Sequence, residues 1–155
     1  MKLTLCAVGK LGATAENNLV RDYLQRATQT GRTLSLGPAE LVEVEARKKT
    51  KPDEASAIRA ALGEGAILVA CDERGELLTS RAIAQRLEKY RDRGERRVAF
   101  VIGGADGLDP ALVAAADLTL AFGPQTWPHA LVRVMLAEQM YRAATILAGL
   151  PYHRD

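Results

Sequence analysis

The sequence of 155 residues has little of the composition that reveals a function directly. Aromatic residues make up 5% of it, there are two cysteines, and the formal net charge is +2. So small a charge does not indicate a protein that binds nucleic acid through its overall charge, and any such surface has to come from local clusters. Cys6 and Cys71 lie inside apolar runs, which predicts buried thiols in a reducing compartment rather than a disulfide or a metal site.

Long apolar runs and familiar catalytic signatures are also missing. No segment is long enough to span a membrane, and the apolar run within residues 1–8 is too short for a signal peptide, so we expect a soluble cytoplasmic protein. The absence of a Gly-x-Ser-x-Gly elbow, a phosphate-binding loop and a metal-ligand cluster argues against a small hydrolase or nucleotide-binding enzyme. Because 48% of the residues are apolar, we predict one folded domain over residues 1–155.

Short apolar runs alternate with amphipathic segments along the chain. The pattern predicts strands at residues 2–8, 40–45, 66–71, 98–102 and 118–122, with a polar loop at 72–75. It predicts helices at residues 15–28 and 50–62, from 79 or 80 to about 91, from 109 or 110, and from 128 to about 149. The alternation gives βαβ units, and therefore a mostly parallel sheet with helices on both faces.

Two loops near the end of the chain hold the most distinctive residues. Gly103, Gly104 and Gly107 follow a buried strand and precede a helix, so backbone amides there can approach a ligand closely. The alternative is a tight turn that needs positive φ. The second loop, residues 122–129, is stiffened by two prolines, and its Trp127 is either a flat wall for a ligand or part of the core. Because both loops follow strands, we expect them at the edge where an open α/β sheet binds its ligand.

Charged and aromatic residues continue beyond these loops. His129 and Arg133 lie one turn apart on the last predicted helix, as a solvated face or as part of the site. The final residues Tyr152, His153 and Arg154 combine groups that stack, transfer protons and stabilise anions. They form either a solvated end that frays or a tail that folds over a pocket of its own chain or of a partner.

Two basic clusters are candidates for contact with phosphates. The members of the first are Arg47, Lys48, Lys49 and Lys51. The second, within residues 91–97, holds four arginines but also Asp92 and Glu95. Either cluster is alternatively a solvated loop, and the first is the better candidate because no acid interrupts it.

Three segments together resemble a known protein family. They are residues 102–108 (Ile-Gly-Gly-Ala-Asp-Gly-Leu), 126–133 (Thr-Trp-Pro-His-Ala-Leu-Val-Arg) and 151–154 (Pro-Tyr-His-Arg). With the opening Met-Lys-Leu-x-Leu-x-Ala-Val-Gly, the basic connector and the total length, the chain resembles the bacterial ribosomal RNA large subunit methyltransferase H family of the SPOUT class. It departs from the family's usual Gly-Gly-Pro-Glu-Gly and Leu-Pro-His-Pro at Ala105, Asp106, Trp127 and Ala130.

The resemblance implies a fold, a reaction and a cofactor. It implies an α/β sheet whose C-terminal part forms a trefoil knot, and a homodimer. The implied reaction is methylation of N3 of a pseudouridine in a hairpin loop of 23S ribosomal RNA, with S-adenosylmethionine as cofactor and an assembled ribosome or large subunit as substrate. By the same resemblance the cofactor is held by Cys71, Gly103, Gly104, Phe122, Gly123, Pro124, Gln125, Thr126 and Trp127.

The resemblance also implies that the tail completes the active site of the other protomer. His153 is then the candidate base for the N3 proton, because imidazole titrates near neutrality. Arg154 would hold the ring anion or a phosphate, Tyr152 would stack or orient, and Arg133 would anchor the tail or RNA. The residues expected to contact RNA are Arg47, Lys48, Lys49, Lys51 and His129. The alternative is a non-catalytic ribosome-associated binding protein of the same fold, against which the intact glycine loop and tail argue.

Overall fold

The computed structural model describes residues 1–154 and arranges them around one parallel sheet. Its strands are β1 (Lys2–Val8), β2 (Ala39–Val44), β3 (Ile67–Glu76), β4 (Arg97–Ile102) and β5 (Leu118–Leu120), in the order β2-β1-β4-β3-β5. The helices are α1 (Ala15–Gly31), α2 (Lys51–Leu62), α3 (Ser80–Asp92), α4 (Pro110–Ala114) and α5 (His129–Leu147), with a 3₁₀ helix at Arg32–Leu34. Within residues 1–154 no helix is long and apolar enough to cross a membrane, and no three potential metal ligands are grouped.

Polar side chains begin three of the helices where the sequence predicts. Thr50 and Thr79 each accept a hydrogen bond from the backbone N–H three residues on. Asp109 accepts from two backbone N–H groups, and Pro110 follows it in the first turn, where a missing N–H costs nothing. The predicted starts of α2, α3 and α4 are therefore confirmed.

The sheet is covered on both faces, as the alternation of strands and helices predicts. One face carries α1, α3 and α5, and the core there includes Leu24, Leu136 and Phe100. The other face carries α2 and α4, and its core includes Ile58 and Val101. Phe100 and Val101 are consecutive in β4 and point to opposite faces, because side chains alternate along a strand. A strand buried on both faces reads as a continuous apolar run.

The predicted loop at residues 72–75 is wrong, because β3 continues through it to Glu76. Cys71 and Glu76 both pair with Leu120 of β5, so β3 is irregular between them. Gly75 permits the close crossing, since a Cβ there would lie 2.6 Å from the backbone of Leu120. This part of β3 is polar, and a pattern of apolar residues does not predict a strand that pairing alone holds extended.

The connections between strands create a switch point at one edge of the sheet. From β1 the chain passes through α1 to β2, and from β4 it passes through α4 to β5 on the opposite side. Because β1 and β4 are parallel neighbours, their carboxyl ends meet where the direction of winding reverses. Ligands of open α/β sheets bind at such a point.

Candidate functional site

The glycine loop, residues 103–107 after β4, folds back on itself. The N–H of Gly107 donates to the carbonyl of Gly104 at 3.0 Å, and Gly107 has a φ of +81°. A Cβ on Gly103 would lie 2.6 Å from the backbone of Gly107. A tight turn that needs glycine is therefore present, and its backbone also lines a cleft.

The Trp127 loop comprises residues 122–129, from just beyond the end of β5 to the first residue of α5. A hydrogen bond from the tryptophan side chain holds the loop together. The indole N–H of Trp127 donates to the carbonyl of Phe122 at 3.1 Å. Gly123 has a φ of +102°, a conformation that side-chain-bearing residues avoid. Trp127 is 40% exposed, so it does not fill the core. It lines the same cleft as the glycine loop.

The two loops meet in one cleft, of about 550 Å³, at the carboxyl edge of the sheet. Cys71 of β3 and Val132 of α5 line it as well, and we call it the main cleft. A smaller hollow of about 180 Å³ adjoins it; its lining includes Phe122, Gly123, Gln125 and Thr126. The structure thus brings together all of the predicted cofactor residues except Pro124, which is exposed and lines neither space.

The thiol of Cys71 forms an uncharged part of the wall. Burial raises its pKa to about 12, so it stays protonated at neutral pH. Both cysteines are free. Cys71, Trp127 and Val132 supply apolar surface, and the peptide groups of the glycine loop supply hydrogen-bonding groups. Charged side chains also line the cleft, namely Lys51, Asp72, Glu73, Arg74 and Asp106. Such a combination is typical of small-molecule sites.

Arg133 lies in the interior and joins α5 to the switch point. Its side chain is 1% exposed and forms a 2.8 Å ion pair with Glu43 of β2. Its Nη2 also donates to the carbonyls of Val8 and Gly9, at 2.8 and 2.9 Å. The solvated-face alternative is therefore wrong for Arg133, and so is the expected role of anchoring the tail or RNA. A guanidinium so buried has no surface to offer to the tail or to RNA, and it anchors β1 and β2 instead.

His129 opens α5 beside this ion pair and is half-buried. Its Nδ1 lies 3.5 Å from Nη2 of Arg133. Burial, and then the charge of Arg133, lower the pKa of His129, while the backbone of Gly103 opposes the shift. The ring lines the main cleft and a second cleft of about 670 Å³ that shares the glycine loop. This residue, predicted to contact RNA, thus lies where the two clefts meet.

The tail packs against the far end of α5 instead of fraying. The hydroxyl of Tyr152 donates to Oε1 of Glu138 at 3.0 Å, and Arg142 donates to the same oxygen at 2.7 Å. Nη1 of Arg142 lies 3.2 Å from Nδ1 of His153, and its guanidinium lies 4.8 Å from the centre of the Tyr152 ring. Burial, with help from Glu138, raises the pKa of Tyr152 to about 12. Arg154 is exposed.

The tail and the main cleft of the same chain are far apart. Val132 lines the cleft, and Arg142, which holds the tail, lies further along the same helix. At a rise of 1.5 Å per residue the separation along the axis is about 15 Å. The predicted tail residues are therefore grouped together but away from the predicted cofactor residues.

The two basic clusters differ in what their side chains contact. The exposed members of the first cluster are Arg47, Lys48 and Lys49. Lys49 lines the second cleft, and the half-buried Lys51 lines the main cleft. In the second cluster, Arg91 donates to the carbonyl of Leu34 at 3.2 Å and Arg97 to that of Leu62 at 2.7 Å. The first cluster therefore directs charge toward the clefts, whereas the second partly ties the fold together.

Three carboxylates that matter to the site were not predicted. Glu43 pairs with Arg133, Glu138 holds the tail, and Glu54 accepts a hydrogen bond from the glycine loop at 3.3 Å. Glu138 and Arg142 are four residues apart on a helix, a spacing that indicates a pair in the sequence. Glu43 and Glu54 have partners in distant parts of the chain, and no local pattern identifies them.

The parallel sheet and its switch-point cleft are those of a ligand-binding α/β protein, and the match over nearly the whole chain assigns it to the SPOUT class of methyltransferases. A sequence model of that family, described as "Predicted SPOUT methyltransferase", matches residues 1–153. The chain is 61% identical over 155 residues to the Ribosomal RNA large subunit methyltransferase H of Caulobacter sp. (strain K31), covering 100% of both. It is 59% identical to the protein of that name from Phenylobacterium zucineum (strain HLK1), again over 100% of both. The chain therefore belongs to the ribosomal RNA large subunit methyltransferase H family.

Solved structures share the fold at low sequence identity. A probable methylase family protein from Haemophilus influenzae Rd KW20 superimposes with a TM-score of 0.55 at 12% identity, over 99% of this chain and 70% of that one. A probable methyltransferase from Bordetella pertussis Tohama I gives 0.52 at 17% identity, over 92% and 96%. The predicted α/β class is confirmed. The trefoil knot stays an implication of the family.

Proposed function

We propose that this chain uses S-adenosylmethionine to methylate N3 of a pseudouridine in a hairpin loop of 23S ribosomal RNA. The observation that carries the proposal is the main cleft, in which the glycine loop and the Trp127 loop meet at the switch point. The names of the relatives support a substrate in the RNA of the large ribosomal subunit. An enzyme that acts on ribosomes works in the cytoplasm.

The residues of the main cleft fit this cofactor. S-Adenosylmethionine supplies an electrophilic methyl group on a sulfonium, between a flat adenosine and a polar amino-acid end. Cys71, Trp127 and Val132 supply apolar surface suited to a flat ring, and the glycine loop offers peptide groups. The cleft, at about 550 Å³, lies within the roughly 300–1,000 Å³ of small-molecule sites. A protonated Cys71 adds no competing nucleophile.

The proposed enzyme is a homodimer in which the tail of one subunit completes the cleft of its partner. The separation of about 15 Å between tail and cleft along α5 supports this arrangement. Tyr152, held by Glu138 and stacked on Arg142, then presents an ordered end to the neighbouring subunit. Ordering the tail before association reduces the entropy that binding would otherwise cost.

The contact with Arg142 orients the side chain of His153. Nη1 of Arg142 lies 3.2 Å from Nδ1 of His153. We keep His153 as the candidate base for the N3 proton and assign to Arg154 the stabilisation of the negative charge that forms on the ring. An unchanged pH–rate profile in His153→Ala would exclude His153 as the base.

The first basic cluster is the proposed contact to ribosomal phosphates, with His129 nearer the target nucleotide. A small protein of low net charge recognises a folded RNA by shape and phosphate contacts. Neutralising Arg47, Lys48, Lys49 and Lys51 should weaken ribosome binding and flatten its salt dependence. Neutralising the exposed Arg93 and Arg96 of the second cluster is the matched control. Equal effects in both clusters would remove the assignment.

The deciding experiment uses ribosomes that lack the modification. Intact 70S particles are incubated with the protein and methyl-labelled S-adenosylmethionine, and the labelled nucleotide is mapped. Label at N3 of one 23S pseudouridine is the expected result. Binding of the protein to ribosomes without transfer would instead favour the non-catalytic alternative, and label at another position would correct the substrate.

A further inference from the structure

The side chain of Glu54 contacts the glycine loop, which lines the main cleft, but does not itself line that cleft. It lies in the first turn of α2 and is half-buried. Its Oε2 accepts a hydrogen bond from the N–H of Gly104 at 3.3 Å, across 50 positions of sequence. The distance is at the long end for an N–H···O hydrogen bond, and the charge of the carboxylate adds attraction to it.

The carboxylate of Glu54 occupies the space beside Gly104. A Cβ on Gly104 would lie 2.7 and 2.9 Å from its two oxygens, which are at the free end of a flexible side chain. Gly107 is required by its positive φ, whereas Gly104 is not among the glycines of positive φ. A side chain at position 104 would therefore displace the carboxylate and break its contact with the loop.

The same contact fixes the wall of the main cleft. The carbonyl of Gly104 accepts from Gly107 inside the loop, and its N–H is bound by Glu54, so both polar groups of this peptide position are satisfied. Gly104 lines both clefts, whereas Glu54 lines only the second one, together with Lys49 and His129. The carboxylate thus supports the loop from the second cleft and does not face the space proposed for the cofactor.

We propose that Glu54 is a positioning residue of the cofactor site, which holds the N–H of Gly104 and thereby the shape of the glycine loop. The inference rests on the proposed function, because the shape of the loop is detected as affinity for S-adenosylmethionine. The competing explanation is that Glu54 only stabilises α2, as acids in the first turn of a helix do through their charge. Glutamine separates the two roles, since its amide oxygen still accepts a hydrogen bond while the charge is lost.

The first experiment measures the dissociation constant of S-adenosylmethionine by calorimetry and the KM and kcat of methyl transfer. Glu64→Ala is the matched control, because Glu64 is an exposed acid just beyond the end of α2. We expect Glu54→Ala to weaken cofactor binding and raise KM about tenfold, and Glu54→Gln to do so less than about threefold. The kcat should change less than about twofold in both, since the group does not contact the reacting atoms.

A second experiment does not depend on how well Glu54→Ala folds. Gly104→Ala should displace the carboxylate of Glu54 and lose cofactor affinity, and adding Glu54→Ala should cost little more, because both changes remove the same contact. Losses that multiply in the double variant, or a Glu54→Ala variant that binds like wild type, would overturn the positioning role and leave the proposed function standing. Equal losses in the Ala and Gln variants, with a lower melting temperature, would establish the helix role instead. Wild-type protein that does not bind S-adenosylmethionine would overturn the proposed function as well.

Discussion

The two ends of α5 present arginines with opposite surroundings. Arg133, near the start, is 1% exposed and its partners are Glu43 and the carbonyls after β1. Arg142, near the end, is 25% exposed and its partners are Glu138 on the same helix and the tail. Burial lowers the pKa of Arg133 against the pull of Glu43, whereas the hydrogen bond with Glu138 raises the pKa of Arg142.

The difference separates an arginine of α5 that stabilises the fold from one that we propose supports activity. Removing a guanidinium from water costs several kcal/mol, roughly, and it is tolerated only where the partners are close and well placed. Arg133 meets that condition with groups from β1 and β2, so it fixes the edge of the sheet where the clefts form. Arg142 remains near solvent and holds the tail, which the proposed function assigns to the cleft of a partner subunit. The comparison predicts that Arg133 variants lose stability and Arg142 variants lose activity.

The largest expected effect is that of Arg133→Met on stability. The change leaves the Glu43 carboxylate with only the N–H of Leu11 and the carbonyls of Val8 and Gly9 without the guanidinium. Breaking a buried pair from one side costs about 3–5 kcal/mol. Urea denaturation measures the loss. In Arg133→Met/Glu43→Leu both charges are gone, and the double variant should recover at least about half of that loss. A loss under about 1 kcal/mol in the single variant would place the pair with ordinary surface ion pairs.

Arg142→Ala should lower the methylation rate by about 10²-fold while costing at most about 1 kcal/mol of stability. Its pair with Glu138 is partly exposed, but without it Tyr152 and His153 lose their support. Single-turnover transfer to ribosomes measures the rate. Affinity for S-adenosylmethionine should stay as in wild type, because the main cleft lies about 15 Å away along the helix. A similar loss of methylation rate in Arg21→Ala, which changes an exposed arginine of α1, would contradict this prediction. A fall in affinity for S-adenosylmethionine in Arg142→Ala would contradict it as well.

Mixed dimers test the proposed roles of the two ends of α5, because the intact cleft and the intact tail then come from different chains. One variant lacks residues 151–155, and the other carries Gly103→Ala, whose Cβ would lie 2.6 Å from the backbone of Gly107. Each should be inactive alone, whereas a heterodimer retains one intact cleft and one intact tail that meet. Random exchange in an equal mixture should restore about a quarter of the wild-type sites, since half of the dimers are mixed and each has one working site. No recovery after verified exchange would mean that each tail serves its own chain.

The sequence predicts what local forces decide. Apolar runs locate β1 and β4, and capping residues locate α2, α3 and α4, because these signals depend on neighbours in the chain. The burial of Arg133 depends on Glu43, which lies 90 positions away. Nothing within a turn of Arg133 distinguishes it from a solvated arginine. The prediction for the polar end of β3 fails for the same reason, because pairing with the distant Leu120 keeps these residues extended.

The candidate site is predicted in part for a different reason. Parallel strands gather their carboxyl ends at one edge, so two unusual loops after two strands are expected to meet even though they are separate in sequence. The resemblance to the family selects Cys71 on a third strand. Glu54 is outside both arguments, because its role arises from a glycine whose missing side chain admits the carboxylate. Only the packed structure brings these two residues together.

The smallest expected effect concerns pH and the imidazole of His129 next to Arg133. The pKa of His129 is lowered from 6.5 by burial and by the Arg133 charge. As the pH falls through the ordinary value, the unfolded chain takes up a proton on this ring before the folded chain does, so the folded state loses stability. Chemical denaturation between about pH 7.5 and pH 5.5 should therefore show a decline that is smaller in His129→Gln, whose side chain does not titrate. Superimposable curves for the two proteins would mean that the ring is as easily protonated in the fold as in water.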